Sequence, residues 1–179
     1  MVQKIVIIGP ESTGKSTLSE QLAAHYKATL VKEYAREYLL THGTNYSYND
    51  LLTIAQGQIQ LEENALANIT APPTSRLKLI IDTDMYVMKV WCEFVFNNCH
   101  PFILNQIVQR KYHLYLLCNI DLPWVKDALR EYPDLITREK LYHHYKDILI
   151  NQQVPWVNIT GNYQQRLQLA INAIDSLSL

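Results

Sequence analysis

Gly9 and Gly14, separated by four residues and followed at once by Lys15 and Ser16, form the pattern G-x-x-x-x-G-K-[ST] within "GPESTGKST". The chain has 5 glycines in all, so two in one short stretch is a concentration. The chemistry is that of a phosphate cradle. Glycines let the backbone curl round an anion and bring N–H groups to it with no Cβ in the way. A helix opening at Lys15 adds unpaired N–H donors and the positive end of its dipole. Lys15 supplies a mobile charge for β- and γ-phosphates, and the Ser16 hydroxyl can ligate Mg²⁺. Glu11, Ser12, Thr13 and Thr17 complete the loop, which makes residues 9 to 17 the candidate ATP site.

Carboxylates and arginines come next. The apolar run "LKLII" ends in "DTD", so Asp82 and Asp84 lie two apart and face the same way on a strand. Asp82 suits the metal, together with Ser16, or a base toward an attacking hydroxyl. Asp84 suits either a substrate contact or the N-cap of the following helix. In "EYAREYLLTHG", on a short helix stopped by Gly43, Glu33, Arg36 and Glu37 share a face at i, i+3 and i+4. That face is a surface ion-pair network or, lying at a strand's carboxyl end beside the loop, a clamp on substrate hydroxyls. Arg130 and Arg138, within "LCNIDLPWVKDALREYPDLITR", are either solvated arginines or a lid that neutralises charge on a transferring phosphoryl group and excludes water. Asn119-Ile120-Asp121-Leu122 lacks the lysine of N-K-x-D, so guanine reading is not supported.

These groups need a frame. Five short runs read as strands: "QKIVII" (3–8), "ATLV" (28–31), "LKLII" (77–81), "YHLYLLC" (112–118) and "VPWVNI" (154–159). Helical periods lie between them. Leu18, Leu22 and Tyr26 recur after the glycine loop, and 48–70 opens with the capping pair Ser47 and Asp50. Met85 to Phe96 is apolar nearly all round; Leu141, Tyr145 and Ile148 mark another helix, and Leu167 to Leu177 the last. "APPTSR" (71–76) reads as a turn. Alternating strands and helices predict an α/β fold: a three-layer P-loop architecture with a five-stranded parallel sheet, helices on both faces and a small lid over about 119–138. The whole chain, 1–179, reads as one domain. Right-handed crossovers put the working groups at the strands' carboxyl ends.

Composition narrows the function. With a net charge of -1, the chain has no long-range field to gather nucleic acid or an anionic membrane, and neither is expected as a partner. The pair His143–His144 cannot face one ion from one helix face, which argues against zinc. Three cysteines without CxxC spacing read as reduced thiols, and no apolar run reaches the ~18 residues of a membrane span. The expectation is a cytoplasmic protein; whether it works alone or as a homo-oligomer stays open.

In this order, "GPESTGKSTL", "EYAREY", "YSYNDLLTIAQGQ", "IDTD", "HPF" and "PWVKDALR" make the chain resemble, along nearly all its length, the ribosylnicotinamide kinase domain of the bacterial NadR family. The resemblance implies a P-loop kinase fold with a lid, and ATP- and Mg²⁺-dependent phosphorylation of the 5′-hydroxyl of nicotinamide riboside. Nicotinamide mononucleotide would be the product. It implies that Gly14, Lys15, Ser16 and Thr17 hold ATP and the metal, and that Glu33, Tyr34, Arg36, Asp82 and Asp84 surround the riboside. Trp124, Asp127, Arg130 and Arg138 would belong to the lid, and Lys15, Asp82 and Arg130 would carry catalysis. The family's adenylyltransferase domain is not expected, since the first strand begins at Val2. Where the family has an aromatic residue before the Glu-Tyr pair, this chain has Lys32; Tyr34, Tyr86 and Trp91 are the candidate substitutes, or core. A kinase for another nucleoside or small hydroxyl compound, or a nucleotide-binding regulatory ATPase, are the alternatives.

Overall fold

Isoleucine- and valine-rich runs, too short for helices and favoured on a pleated surface, become the strands. In the computed structural model, which describes residues 2–69 and 77–177, these are β1 (Val2–Ile8), β2 (Thr29–Val31), β3 (Leu77–Asp82), β4 (Leu114–Cys118) and β5 (Trp156–Ile159). They form one parallel sheet in the order β2-β3-β1-β4-β5. The expected "APPTSR" turn lies outside the described residues.

Seven helices are described: α1 (Lys15–Tyr26), α2 (Tyr34–His42), α3 (Tyr48–Ala67), α4 (Met85–Phe96), α5 (Pro101–Gln109), α6 (Leu135–Ile150) and α7 (Tyr163–Asp175). Alternation along the strands builds two cores. Val6, Ile8, Leu79, Ile81 and Leu117 face α4 and α6, where Val87, Val90, Leu141 and Tyr145 meet them. Ile5, Ile7, Ile80, Leu114 and Leu116 face α1 and α7. The helix expected to open at Ser47 does so with a reciprocal capping box, Ser47 with Asp50. Asn68 is its C-cap, and α3 ends at Ala67, three residues short of the expected limit.

Because β1 is central and the chain passes from it to one flank and later to the other, the carboxyl ends of β1 and β3 flank the reversal of strand order. Open α/β sheets place ligands at such a point. The connection from β4 to α6, residues 119–134, carries neither helix nor strand. Pro123 and Pro133 break any helical run there, and Asp134 starts α6 by accepting from the Thr137 N–H at 2.8 Å. Arg138 therefore stands one turn inside α6, beyond the irregular segment.

Candidate active site

Gly14 ends the phosphate loop at φ 77, in the left-handed region, and serves as N-cap of α1. The loop and the start of α1 thus line one cavity, from Gly9 through Thr17. The Lys15 ammonium rests on the Pro10 carbonyl at 2.9 Å, and Thr13 Oγ1 donates to the same carbonyl at 2.8 Å.

Around the loop the same cavity takes Glu33 and Arg36 from the start of α2, and Arg130 with Glu131 and Tyr132 from the lid segment. Its far wall is apolar: Ala35 and Leu39 of α2, Val87, Val90, Trp91 and Phe94 of α4, Leu129, and Leu141 and Tyr145 of α6. One space therefore has the loop at one end and an apolar wall with two aromatic rings, Trp91 and Phe94, at the other.

Asp82 closes β3 beneath the loop and is 3% exposed. Burial, then the neighbouring Glu33 charge, push its carboxyl up to about 6, against the pull of Lys15 and the Ser16 hydroxyl. Its Oδ1 has no hydrogen-bond partner. Thr83 follows at φ 78, a strained conformation for a β-branched residue, with its N–H on the Ile7 carbonyl at 3.1 Å. Such strain persists only where the surroundings enforce it, and here the Ile7 carbonyl holds the Thr83 N–H at the end of β3.

Asp84 is differently engaged. Its Oδ1 accepts from the N–H groups of Tyr86 (2.9 Å) and Val87 (3.4 Å), capping α4, while Tyr115 donates to Oδ2 at 2.9 Å. Burial drives its carboxyl up to about 7. Neither aspartate lines the cavity; Asp82 is buried behind it beside Lys15 and Ser16, and Asp84 is taken up by the helix cap.

Of the aromatic candidates, Trp91 lines the cavity. The Tyr34 ring is turned onto α3, where a Cβ on Gly57 would lie 2.1 Å from it, and Tyr86 packs on Tyr115 with ring centroids 5.4 Å apart. Arg36 pairs with the lid's Asp127 at 3.0 Å and with neither glutamate of its own helix. Trp124 donates its indole N–H to Glu11 at 3.3 Å. The Arg130 guanidinium donates to the Val125 carbonyl within the lid. Arg138 is 4% exposed, with Nε and Nη2 unpartnered.

A P-loop at the head of a five-stranded parallel sheet matches the family model described as "AAA domain" over residues 4–166. The chain belongs to the AAA-domain family. Among curated relatives of this AAA domain, the trifunctional NAD biosynthesis/regulator protein NadR of Escherichia coli K12 is 30% identical over 164 residues, 88% of this chain and 38% of that protein. NadR of Salmonella typhimurium LT2 is 30% identical over 183 positions, 98% of this chain and 43% of that protein. The chain thus spans about two-fifths of the curated relatives it matches. A crystal structure of NadR protein in complex with NR superposes with a TM-score of 0.81 at 21% identity, covering 98% of this chain and 49% of that one. Thymidylate kinase from Ehrlichia chaffeensis follows with a TM-score of 0.67 at 15% identity, covering 97% of this chain and 98% of that one. The resemblance to NadR and the P-loop kinase fold, both expected from the sequence, are borne out.

Two contributors to the AAA domain's site escaped sequence reasoning. Gln58 of α3 accepts from the Tyr34 N–H at 2.8 Å and donates to the carbonyls of Lys32 (3.3 Å) and Asp82 (3.5 Å), clasping the ends of β2 and β3 together. Its signal lay in "YSYNDLLTIAQGQ", a segment with no evident chemistry. Arg166 of α7 is the other, buried at 2% exposure with donors on three backbone carbonyls. Nothing in its local sequence distinguishes it from a surface arginine. No helix among the described residues is long and apolar enough to cross a membrane.

Proposed function

We propose that this chain is a nucleoside kinase that transfers the γ-phosphoryl group of ATP to the 5′-hydroxyl of nicotinamide riboside, giving nicotinamide mononucleotide. One observation carries the reading: the phosphate loop and the Glu33 carboxylate share a cavity with an apolar wall that presents Trp91 and Phe94 to a planar base, with the Asp82 carboxylate buried beside Lys15 and Ser16. The NadR relatives and the kinase fold support it.

The loop N–H groups and Lys15 hold the triphosphate, so its negative charge is met by fixed donors before reaction begins. The unpartnered Asp82 Oδ1, beside Ser16, fits a divalent cation. Ser16 and Asp82 would hold a magnesium ion, which when bound would supply positive charge to the phosphates. Glu33, which lines the cavity, takes the proton from the attacking hydroxyl. Arg36 and the lid's Arg130 face the same space, and Arg130 meets charge on the transferred group. The lid, residues 119–134, excludes water that would hydrolyse ATP without product.

The test is direct. Purified protein is incubated with ATP, Mg²⁺ and a nucleoside panel, and ADP and nucleoside phosphate are quantified. Mg²⁺-dependent formation of nicotinamide mononucleotide, faster than any other product, is expected. Preference for another nucleoside would move the substrate but keep the enzyme class; no transfer to any nucleoside would reject the kinase.

A further inference from the structure

A carboxylate is out of place in a loop built to hold phosphates, since at short range it repels the ligand that the loop attracts. Glu11 occupies such a position, and the structure shows what engages it. Its Oε1 accepts from the Tyr132 N–H at 2.7 Å and from the Trp124 indole at 3.3 Å, and its Oε2 accepts from the Glu131 N–H at 2.9 Å. Next to it, Ser12 Oγ accepts from the Val125 N–H at 2.9 Å. All four donors belong to residues 124–132 of the lid, and the three accepting oxygens to Glu11 and Ser12 of the phosphate loop. The oxygens of Glu11 are thus occupied by the lid and are not turned to a nucleotide.

The contact continues past Glu11. Glu131, whose N–H meets Glu11, accepts from the Tyr46 hydroxyl at 2.9 Å, and Tyr46 in turn accepts from the Trp91 indole at 2.8 Å. Trp91 belongs to the apolar wall. The buried Arg138 guanidinium also feels the Glu11 charge, with Arg130 as its other charged neighbour.

We propose that Glu11 is a positioning residue: it seats the lid on the phosphate loop and, through Glu131 and Tyr46, couples that seat to the ring-binding wall at Trp91. A ring held against Trp91 then steadies the seated lid, so closure over ATP is tied to the presence of an acceptor. The seat itself does not depend on the kinase reading; its catalytic consequence rests on it.

Two measurements on the full chain test this separately. The first is amide hydrogen exchange in wild type and Glu11→Gln. A glutamine keeps one acceptor oxygen but turns an NH₂ group toward the remaining lid donors. Exchange across residues 124–132 should quicken about tenfold in the variant, with α1 unchanged. Trp124→Phe removes one donor from the other side, leaves the loop intact and should quicken the same segment. Unchanged lid exchange in both variants overturns the seat. The second is the ratio of nucleoside phosphate formed to ADP released, which should fall about tenfold in Glu11→Gln while ATP affinity holds or rises. A loss of ATP affinity would make Glu11 a donor ligand and overturn the proposal. A normal ratio despite a loosened lid overturns the coupling. Should wild type transfer to no nucleoside, the kinase reading fails, and the exchange data still decide the seat.

Discussion

Arg166, near the start of the last helix, donates from Nη1 to the Thr13 carbonyl of the phosphate loop at 2.8 Å, across 153 residues of sequence. The same guanidinium reaches the carbonyls of Gly161 (2.7 Å) and Asn119 (2.9 Å) and pairs with Asp121. It therefore ties the loop to the root of the lid and to the turn before α7. Removing it takes the donor from the buried Thr13 contact and from three partly buried acceptors. Arg166→Ala should cost about 3 kcal/mol of stability in urea unfolding. Arg166→Lys, which keeps the charge but not the planar fork, should raise the KM for ATP more than that for the acceptor.

The Lys15 ammonium donates to the Pro10 carbonyl at 2.9 Å and is the loop's one cationic side chain. Lys15→Ala should lower kcat by at least about 100-fold, as loss of one preorganised contact to a charged transition state does. Near-normal steady-state turnover in that variant would remove Lys15 from its assigned role.

Asp82 must be ionised to hold a cation, and its carboxyl is pushed up to about 6. As pH falls through that value the site takes up a proton, so kcat/KM should drop about tenfold per pH unit below it. Asp82→Asn should be slow at every pH, lack that acid limb and need more Mg²⁺. An unchanged metal titration would contradict the metal role.

Asp84 ionises in the folded state only near pH 7, whereas an unfolded aspartate ionises near 4. The folded state thus holds the proton more tightly, and stability from this group is lost as pH rises from about 4 to about 7. Asp84→Asn keeps the cap on Tyr86 and Val87 without a buried charge. It should raise Tm by several degrees at pH 8, flatten the Tm profile across that window and leave turnover nearly intact. A large loss of turnover would instead make Asp84 a substrate ligand.

Trp91→Ala should raise the acceptor KM about tenfold with a smaller effect on the KM for ATP, because the Trp91 ring makes no hydrogen bond to the phosphate loop itself.

The fold was legible because its signals are local. Apolar runs at 3–8 and 77–81, the glycine loop and the Ser47–Asp50 cap each carry their meaning within a few residues. The nine-residue α5 went unread because "HPF" shows its start, with Pro101 at the first helical position, but little period beyond it. Site assembly was legible as far as strand ends go, which is why Glu33 and Asp82 could be placed beside the loop. What sequence cannot carry is the partner of a polar side chain. Glu11 reads as a loop ligand until the lid's N–H groups close on it, and Arg36 reads as partner to Glu33 and Glu37 until Asp127 arrives from 91 residues away.

The phosphate loop springs from the sheet's central strand, while the facing wall is borne by α2, α4 and α6, whose cavity-facing side chains hold no part of the loop. A lineage carrying this scaffold can redecorate the facing side chains of three helices without replacing any residue of the loop on the central strand.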